Sequence, residues 1–301
     1  QSKGISACPK HFAVNSQELR RMANNSVVDE RTLREIYTTG FEIAVKEGNA
    51  KSIMSAYNEI NGVYANENRR LLQEILVDEW GFDGYVVSDW GASNDHALGV
   101  ENGSHLEMPG TGKCGMHDIV KAVKNGTLKE EMLDQRLDEL LKVIFDTHQA
   151  TADGKGTSFD IEAHHALARK AAEQSIVLLK NDGGILPLAK GTKVAVIGDF
   201  AKTPRYQGAG SSLVNPTKTP ETILECIKDS GLTMTAYAQG YIRNSKPNAQ
   251  LTEEAKSAAA AADAVLVFAG LDEISESEGV DRTSGGGCGA GICRARRDQR
   301  E

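Results

Sequence analysis

Residues 85–91 read Tyr85-Val86-Val87-Ser88-Asp89-Trp90-Gly91. An aromatic and two β-branched residues followed by a polar pair make a short buried strand that stops on an aspartate. Similar runs lie on either side. Residues 4–12 are strand-like and end in Lys10-His11-Phe12; residues 52–57 run from Ser52 through Met54 to Tyr57; residues 105–108 form a fourth run. Helical stretches separate them, at 32–47 with apolar residues at helical spacing, at 68–79 and at 95–101. Asn68 reads as a helix cap, and Gly48 and Gly81 as helix stops. Strand–helix alternation of this kind predicts a parallel sheet, because parallel neighbours need a crossover helix. Residues 128–148, rich in Leu and Glu, add one or two more helices.

Residues 149–159 (QATADGKGTSF) carry no apolar period and read as a linker. A helix at 161–174 and a strand at 175–180 follow. A second βα series then runs through a strand at 193–198 (KVAVIG), a helix near 221–229, a strand near 233–238, a helix at 253–262 and a strand at 264–270 (AVLVFAG). This predicts a second α/β domain with a parallel sheet. From Ser284 onward, SGGGCGAGICRARRDQRE carries neither period, and disorder is expected. The expected layout is therefore a domain at 1–148, a linker at 149–160, a second domain at 161–283 and a tail at 284–301.

Composition removes several functions. The 301 residues are 40% hydrophobic and 25% charged, as in a soluble globular protein. The net charge of −8 comes with no long basic run, so neither nucleic acid nor an anionic membrane is an expected partner. No stretch approaches the roughly 20 apolar residues of a spanning helix. Cys8, Cys114, Cys226, Cys288 and Cys293 are scattered without a metal-type spacing, which favours incidental thiols and a reducing compartment. The first residue is Gln1, so the absence of a leader pattern leaves the compartment open. VAVIGD at 194–199 looks like a strand feeding a nucleotide loop, yet no G-x-G-x-x-G follows. The glycines at 207–212 lack a closing G-K-[ST] and read better as a turn. No metal or organic cofactor is implied.

Strand ends carry the chemistry. In parallel α/β architectures the carboxyl ends of strands face the catalytic mouth, which makes Asp89 a candidate catalytic group. A carboxylate beside an indole suits sugar chemistry: the first attacks or stabilises an oxocarbenium-like carbon, the second packs on the apolar sugar face. The competing reading is a helix cap or turn residue. Other polar groups gather at equivalent ends: Lys10 and His11, placed to hydrogen-bond hydroxyls, and Tyr57, placed to hold the carboxylate oxygen.

These residues carry a resemblance. The stretches KHFAVNSQELRRM (10–22), SIMSAYNEINGVYANENRRLL (52–72), GFDGYVVSDWGA (81–92), SIVLLKNDGGILPL (175–188), YQGAGSSLVNP (206–216) and SESEGVDR (275–282) resemble the family 3 glycoside hydrolases, in the family's order. The resemblance implies a (β/α)8 barrel followed by an α/β sandwich domain, with the active site between them. It also implies hydrolysis of terminal β-linked sugars with retention, through a covalent glycosyl-enzyme. Asp89 matches the nucleophile of the S-D-W signature. Lys10, His11, Arg21, Tyr57 and Trp90 match residues lining the first sugar subsite, and Met54 is placed with them. Ser211 or Ser212 matches the second-domain loop that reaches the same sugar. Glu278, in S-E-G-V-D-R, is the best match to the acid/base and Glu276 the runner-up; retention requires the two carboxyl groups roughly 5–5.5 Å apart. The bland alternative for both is a solvated acidic loop with Asp272 and Glu273.

β-Glucosidase is the expected activity on a β-glucoside or oligosaccharide, with β-xylosidase as neighbour and an inactive fragment as the alternative from another class. The hexosaminidase branch follows K-H-F with P-G-H-G, whereas Ala13-Val14-Asn15 stand here. A closed barrel needs eight strands and about 250 residues, while only about 150 residues precede the linker. The expectation is therefore a partial (β/α)8 barrel and an incomplete sandwich. About half the barrel would be missing before Gln1, including an Asp and an Arg that bind the sugar, and a truncation or shifted frame would follow Thr283.

Overall fold

A computed structural model describes residues 2–153, 158–243 and 246–279. Its contacts divide the chain between Asp160 and Ile161 into two compact units.

The first unit runs through Asn25–Ser26 (β1), Glu30–Thr32 (α1), a π-wound stretch Leu33–Thr38, Thr39–Lys46 (α2), Ser52–Met54 (β2), Glu59–Ile60 (β3) and Val63–Tyr64 (β4). It continues through a π-wound helix Arg70–Glu79, then Tyr85–Val87 (β5), His96–Asn102 (α3), Lys113–Asn125 (α4) and Glu130–Asp153 (α5). β2 and β5 pair in parallel, with Ile53 opposite Val86. Phe12 bridges Ser55 and Leu106 bridges Val87, both in parallel. Four extended segments thus lie side by side in chain order. The outer two are single bridges rather than the strands expected at 4–12 and 105–108. Asn61-Gly62, with φ of 51° and 89°, turns β3 into β4, the left-handed pair that a two-residue hairpin demands.

The π-wound helix is the crossover between β2 and β5. Its Leu71, Leu72, Ile75 and Leu76 are buried to within 1% of full exclusion, one face of a helical period. They pack with Ile53, Val86 and Phe12, whose ring tilts against Phe41 at 4.9 Å and Trp80 at 5.8 Å. Asn68 Oδ1 accepts the Leu71 N–H at 3.1 Å and so caps this helix. α4 was not among the expected helices, although Met116, Ile119, Val120 and Val123 carry the period; Cys114-Gly115 and the polar residues between them obscure it. α5 continues to Asp153, so residues 149–153 are helical where a linker was expected.

The second unit contains Ile161–Ser175 (α6), Lys193–Ile197 (β6), Asp199–Lys202 (α7), a tight turn Gly210–Ser212, Ile223–Cys226 (α8) leading into Ile227–Asp229, Thr233–Ala238 (β7), Ala249–Ala260 (α9) and Ala264–Val267 (β8). Its sheet has the order β7-β6-β8, all parallel, with Val194 and Val196 fully buried at the centre. The strand expected at 175–180 is not one. Ile176, Val177, Leu178 and Leu179 are 79%, 72%, 64% and 92% exposed and, among the described residues, pair with no strand of the sheet. An apolar run forms a ladder only where an edge is there to receive it. The tail expected to be disordered lies outside the described residues. Among the described residues no helix is long and apolar enough to cross a membrane.

Candidate functional site

Both neighbours of β5 fix the end of that strand. Ser88 N–H donates to the Leu106 carbonyl at 2.9 Å, and the buried Ser88 hydroxyl accepts the Met108 N–H at 2.9 Å. Asp89 comes next and is 6% exposed. Its Oδ1 accepts the Trp90 N–H at 2.8 Å, and its carbonyl accepts the Ala92 N–H at 2.9 Å, which turns the chain sharply. Its Oδ2 lies 3.4 Å from His11 Nε2. His11 reaches it because the next residue, Phe12, is pinned to β2: Phe12 N–H donates to Met54 O at 2.8 Å and Ala56 N–H donates to Phe12 O at 3.0 Å. Arg21 stacks its guanidinium over the Tyr57 ring at 4.7 Å, and Tyr57 is buried. Met54 is half-buried, Lys10 is exposed, and Trp90 is 49% exposed. Val14 sits at φ 60°, strained for a β-branched side chain. It is buried, and its carbonyl accepts the Ser26 hydroxyl at 3.1 Å.

A buried polar layer below this edge was not foreseen. Asn66 Oδ1 accepts from the Ser55 hydroxyl at 2.7 Å and the Ser104 hydroxyl at 3.1 Å, and Asn66 Nδ2 donates to Ser93 at 3.2 Å. Glu67, 3% exposed, accepts the N–H groups of Asn94 at 2.8 Å and Asp95 at 3.2 Å on one oxygen. Burial pushes the Glu67 carboxyl above its ordinary value, against the pull of those N–H groups. The signal in the sequence is Ala65-Asn66-Glu67-Asn68, a polar run set directly against a buried helix face. Lower in the unit, His105 Nδ1 accepts the Val86 N–H at 3.0 Å, so its proton sits on Nε2, 2.7 Å from Glu139. Burial lowers the His105 value, while His105, Gln135 and Arg136 overcome burial and hold Glu139 down to about 2.

In the second unit the chain leaves β6 and β8 on either side of a topological switch point, where parallel sheets place ligand loops. Gly198 ends β6 at φ 126°; a Cβ there would lie 2.1 Å from the Phe268 carbonyl. Close strand approach, not a phosphate, accounts for the glycine of VAVIGD. A cleft of about 570 Å³ lies at this edge, lined by residues that include Phe200, Arg205, Tyr206, Phe268 and Glu276. Glu276 is tied down by Arg205, whose Nη1 is 2.8 Å from its carboxylate and whose Nη2 donates to its carbonyl at 2.9 Å. Glu278 instead meets the turn: its Oε2 accepts the Ser211 N–H at 2.6 Å. Gly210, at φ 80°, leaves room for it, since a Cβ there would lie 2.5 Å from the Glu278 Cβ. The Ser212 hydroxyl donates to Ala209 O at 3.1 Å, closing the same turn.

Sequence comparison decides the ancestry. Residues 1–143 match the glycosyl hydrolase family 3 N terminal domain, and residues 176–286 match the glycosyl hydrolase family 3 C-terminal domain. The chain belongs to glycosyl hydrolase family 3. It is 48% identical over 285 residues to thermostable beta-glucosidase B of Acetivibrio thermocellus, which covers 94% of this chain and 38% of that protein. It is 42% identical over 292 residues to an exo-alpha-(1->6)-L-arabinopyranosidase of Bifidobacterium longum, with the same coverages. The GH3 beta-glucosidase of Bifidobacterium adolescentis superposes with a TM-score of 0.84 at 42% identity, covering 94% of this chain and 41% of that one. Beta-glucosidase 3B of Thermotoga neapolitana, in complex with glucose, gives 0.78 at 32% identity, covering 94% and 43%. The chain thus spans about 38% of the length of the first two of these relatives. These neighbours carry the α/β fold, with a barrel-like N-terminal domain and a second, C-terminal domain.

Proposed function

We propose that this family 3 chain belongs to a retaining β-glucosidase in which Asp89 is the nucleophile. The observation that carries the proposal is Asp89 itself, a buried carboxylate at a strand's carboxyl end, beside an exposed indole, with one oxygen 3.4 Å from His11. Oδ1 is engaged by the Trp90 N–H, so Oδ2 is the oxygen that attacks the anomeric carbon. A covalent glycosyl ester forms as the bond to the leaving oxygen breaks, and that oxygen takes a proton from Glu278. Water then attacks the same carbon, gives its proton to the Glu278 carboxylate and displaces Asp89, which restores the original configuration. Glu276 is the weaker candidate because its carboxylate is already paired with Arg205. Lys10, His11, Arg21, Met54, Tyr57 and Trp90 are proposed to line the first sugar subsite, with Ser211 or Ser212 reaching it from the turn. The parallel sequence Phe12, β2, β5, Leu106 supports residues 1–148 as part of a (β/α)8 barrel, and the β7-β6-β8 sheet supports an α/β sandwich domain.

One observation favours a second reading, a chain that turns over no sugar by itself: the apolar run from Ile176 to Leu179 is exposed. The two readings part in one assay. Aryl β-D-glucoside, β-D-xyloside and α-L-arabinopyranoside are offered to a sample with a cooperative melt, and the first-formed anomer is read by proton NMR. Preferred cleavage of the glucoside with β-glucose appearing first is expected. α-Glucose first would overturn retention, preference for another glycoside would overturn the glucosidase assignment, and no cleavage of any substrate would establish the second reading.

A further inference from the structure

We propose that Glu67 is a positioning residue for Asp89: its buried carboxylate fastens the far end of the loop that Asp89 begins. On the reading of Asp89 as nucleophile given above, it acts on the reaction without touching sugar.

The loop spans residues 89–95, between β5 and α3. Several of its hydrogen bonds tie it only to itself. Trp90 N–H and Ala92 N–H both donate to Asp89, and the Asn94 side chain donates to Ala92 O at 3.0 Å. Contacts of this kind shape a turn but do not fix it to the protein. The fastening comes from residues 66 and 67. Asn66 reaches Ser93, and Glu67 Oε1 takes the N–H groups of Asn94 and Asp95 together. Glu67 is in turn held by its own backbone, whose carbonyl accepts the buried Asn102 Nδ2 at 2.8 Å.

Two features argue that this carboxylate serves the loop rather than the helix after it. α3 is already capped by Asp95, whose Oδ1 accepts the Leu98 N–H at 2.9 Å, so Glu67 is not needed to start it. The arrangement is also costly. A carboxylate is expensive to bury, its Oε2 has no hydrogen-bond partner among the described residues, and the Asp95 charge opposes it. Glu67 Oε1 nonetheless takes two consecutive N–H groups at once, which ties both residues of the loop's far end to one buried atom.

The test uses Glu67→Ala and Glu67→Gln, with two readouts: amide exchange across residues 90–95, and the rate of Asp89 labelling by a 2-fluoro-glucoside, resolved into maximal rate and half-saturating concentration. Glu67→Ala is expected to speed exchange in the loop by about tenfold or more while β2 and β5 keep their protection. It should slow maximal labelling by about 10–100-fold with half-saturation little changed. Glu67→Gln should lie close to the parent in both, because Oε1 alone takes both N–H groups. Unchanged loop exchange in Glu67→Ala, or equal losses in both variants accompanied by lost strand protection, would overturn the proposal. Faster loop exchange with no label on Asp89 in any form would support the fastening and overturn the nucleophile assignment alone.

Discussion

Asp89 and Glu278 are held in opposite ways. Asp89 stands where two parallel neighbours, a buried serine and a buried polar layer converge, and is 6% exposed. Glu278 sits on a loop and meets the exposed turn Gly210–Ser212 through the Ser211 N–H. The nucleophile role proposed for Asp89 requires that it meet a carbon along one line, a demand that a strand end held on several sides suits. The proton-donor role proposed for Glu278 tolerates more play, which a loop allows. The contrast teaches that the first carboxylate is a property of the fold and the second a property of one loop.

The sharpest way to break this contrast is Asp89→Asn. It should cost several orders of magnitude in aryl β-glucoside turnover without lowering the melting temperature; near-normal turnover would end the nucleophile assignment. Glu278→Gln should slow substrates with poor leaving groups by about 10²–10⁴-fold and those with good leaving groups far less. Glu276→Gln should leave that dependence alone and act through the lost Arg205 pair. The reverse pattern in leaving-group kinetics would exchange the two roles.

Stability should divide the molecule in the same way. Leu72→Ala, in the fully buried crossover face, should lower unfolding free energy by about 2–5 kcal/mol in urea titration. Leu178→Ala, 64% exposed, should change it by less than about 0.5 kcal/mol; a core-sized loss would show that the run is buried in solution. The smallest expected effect is on pH. His105 binds its proton less readily folded than unfolded, so its contribution is present above its ordinary value of 6.5 and lost as pH falls below it. Glu139, held down to about 2 from 4.5, contributes above 4.5 and is lost as pH falls toward 2. Melting temperature should therefore decline with acid in two steps, and Glu139→Gln should remove the lower one.

The parallel core was legible because Tyr85–Val87 and Ser52–Met54 are short β-branched or apolar runs broken by a helix with a clean buried face. Asp89, just past the end of Tyr85–Val87, followed from the same pattern, whereas His11 stands beside a single bridge at Phe12 and not on the strand expected there. The apolar run at 176–179 misled, since apolarity specifies burial only where a neighbour exists to pack against. The polar run at 65–68 hints at a buried layer but not at the role of Glu67: a glutamate ordinarily faces water, and nothing local shows that two N–H groups from residues 27 and 28 positions later meet it.

The most direct measurement is the intact mass of the chain after exposure to a 2-fluoro-glucoside, followed by peptide mapping. One fluoroglucosyl group on the peptide carrying Asp89, absent in Asp89→Asn, is the expected result. A label on another carboxylate, or none on a sample that melts cooperatively, would contradict the account.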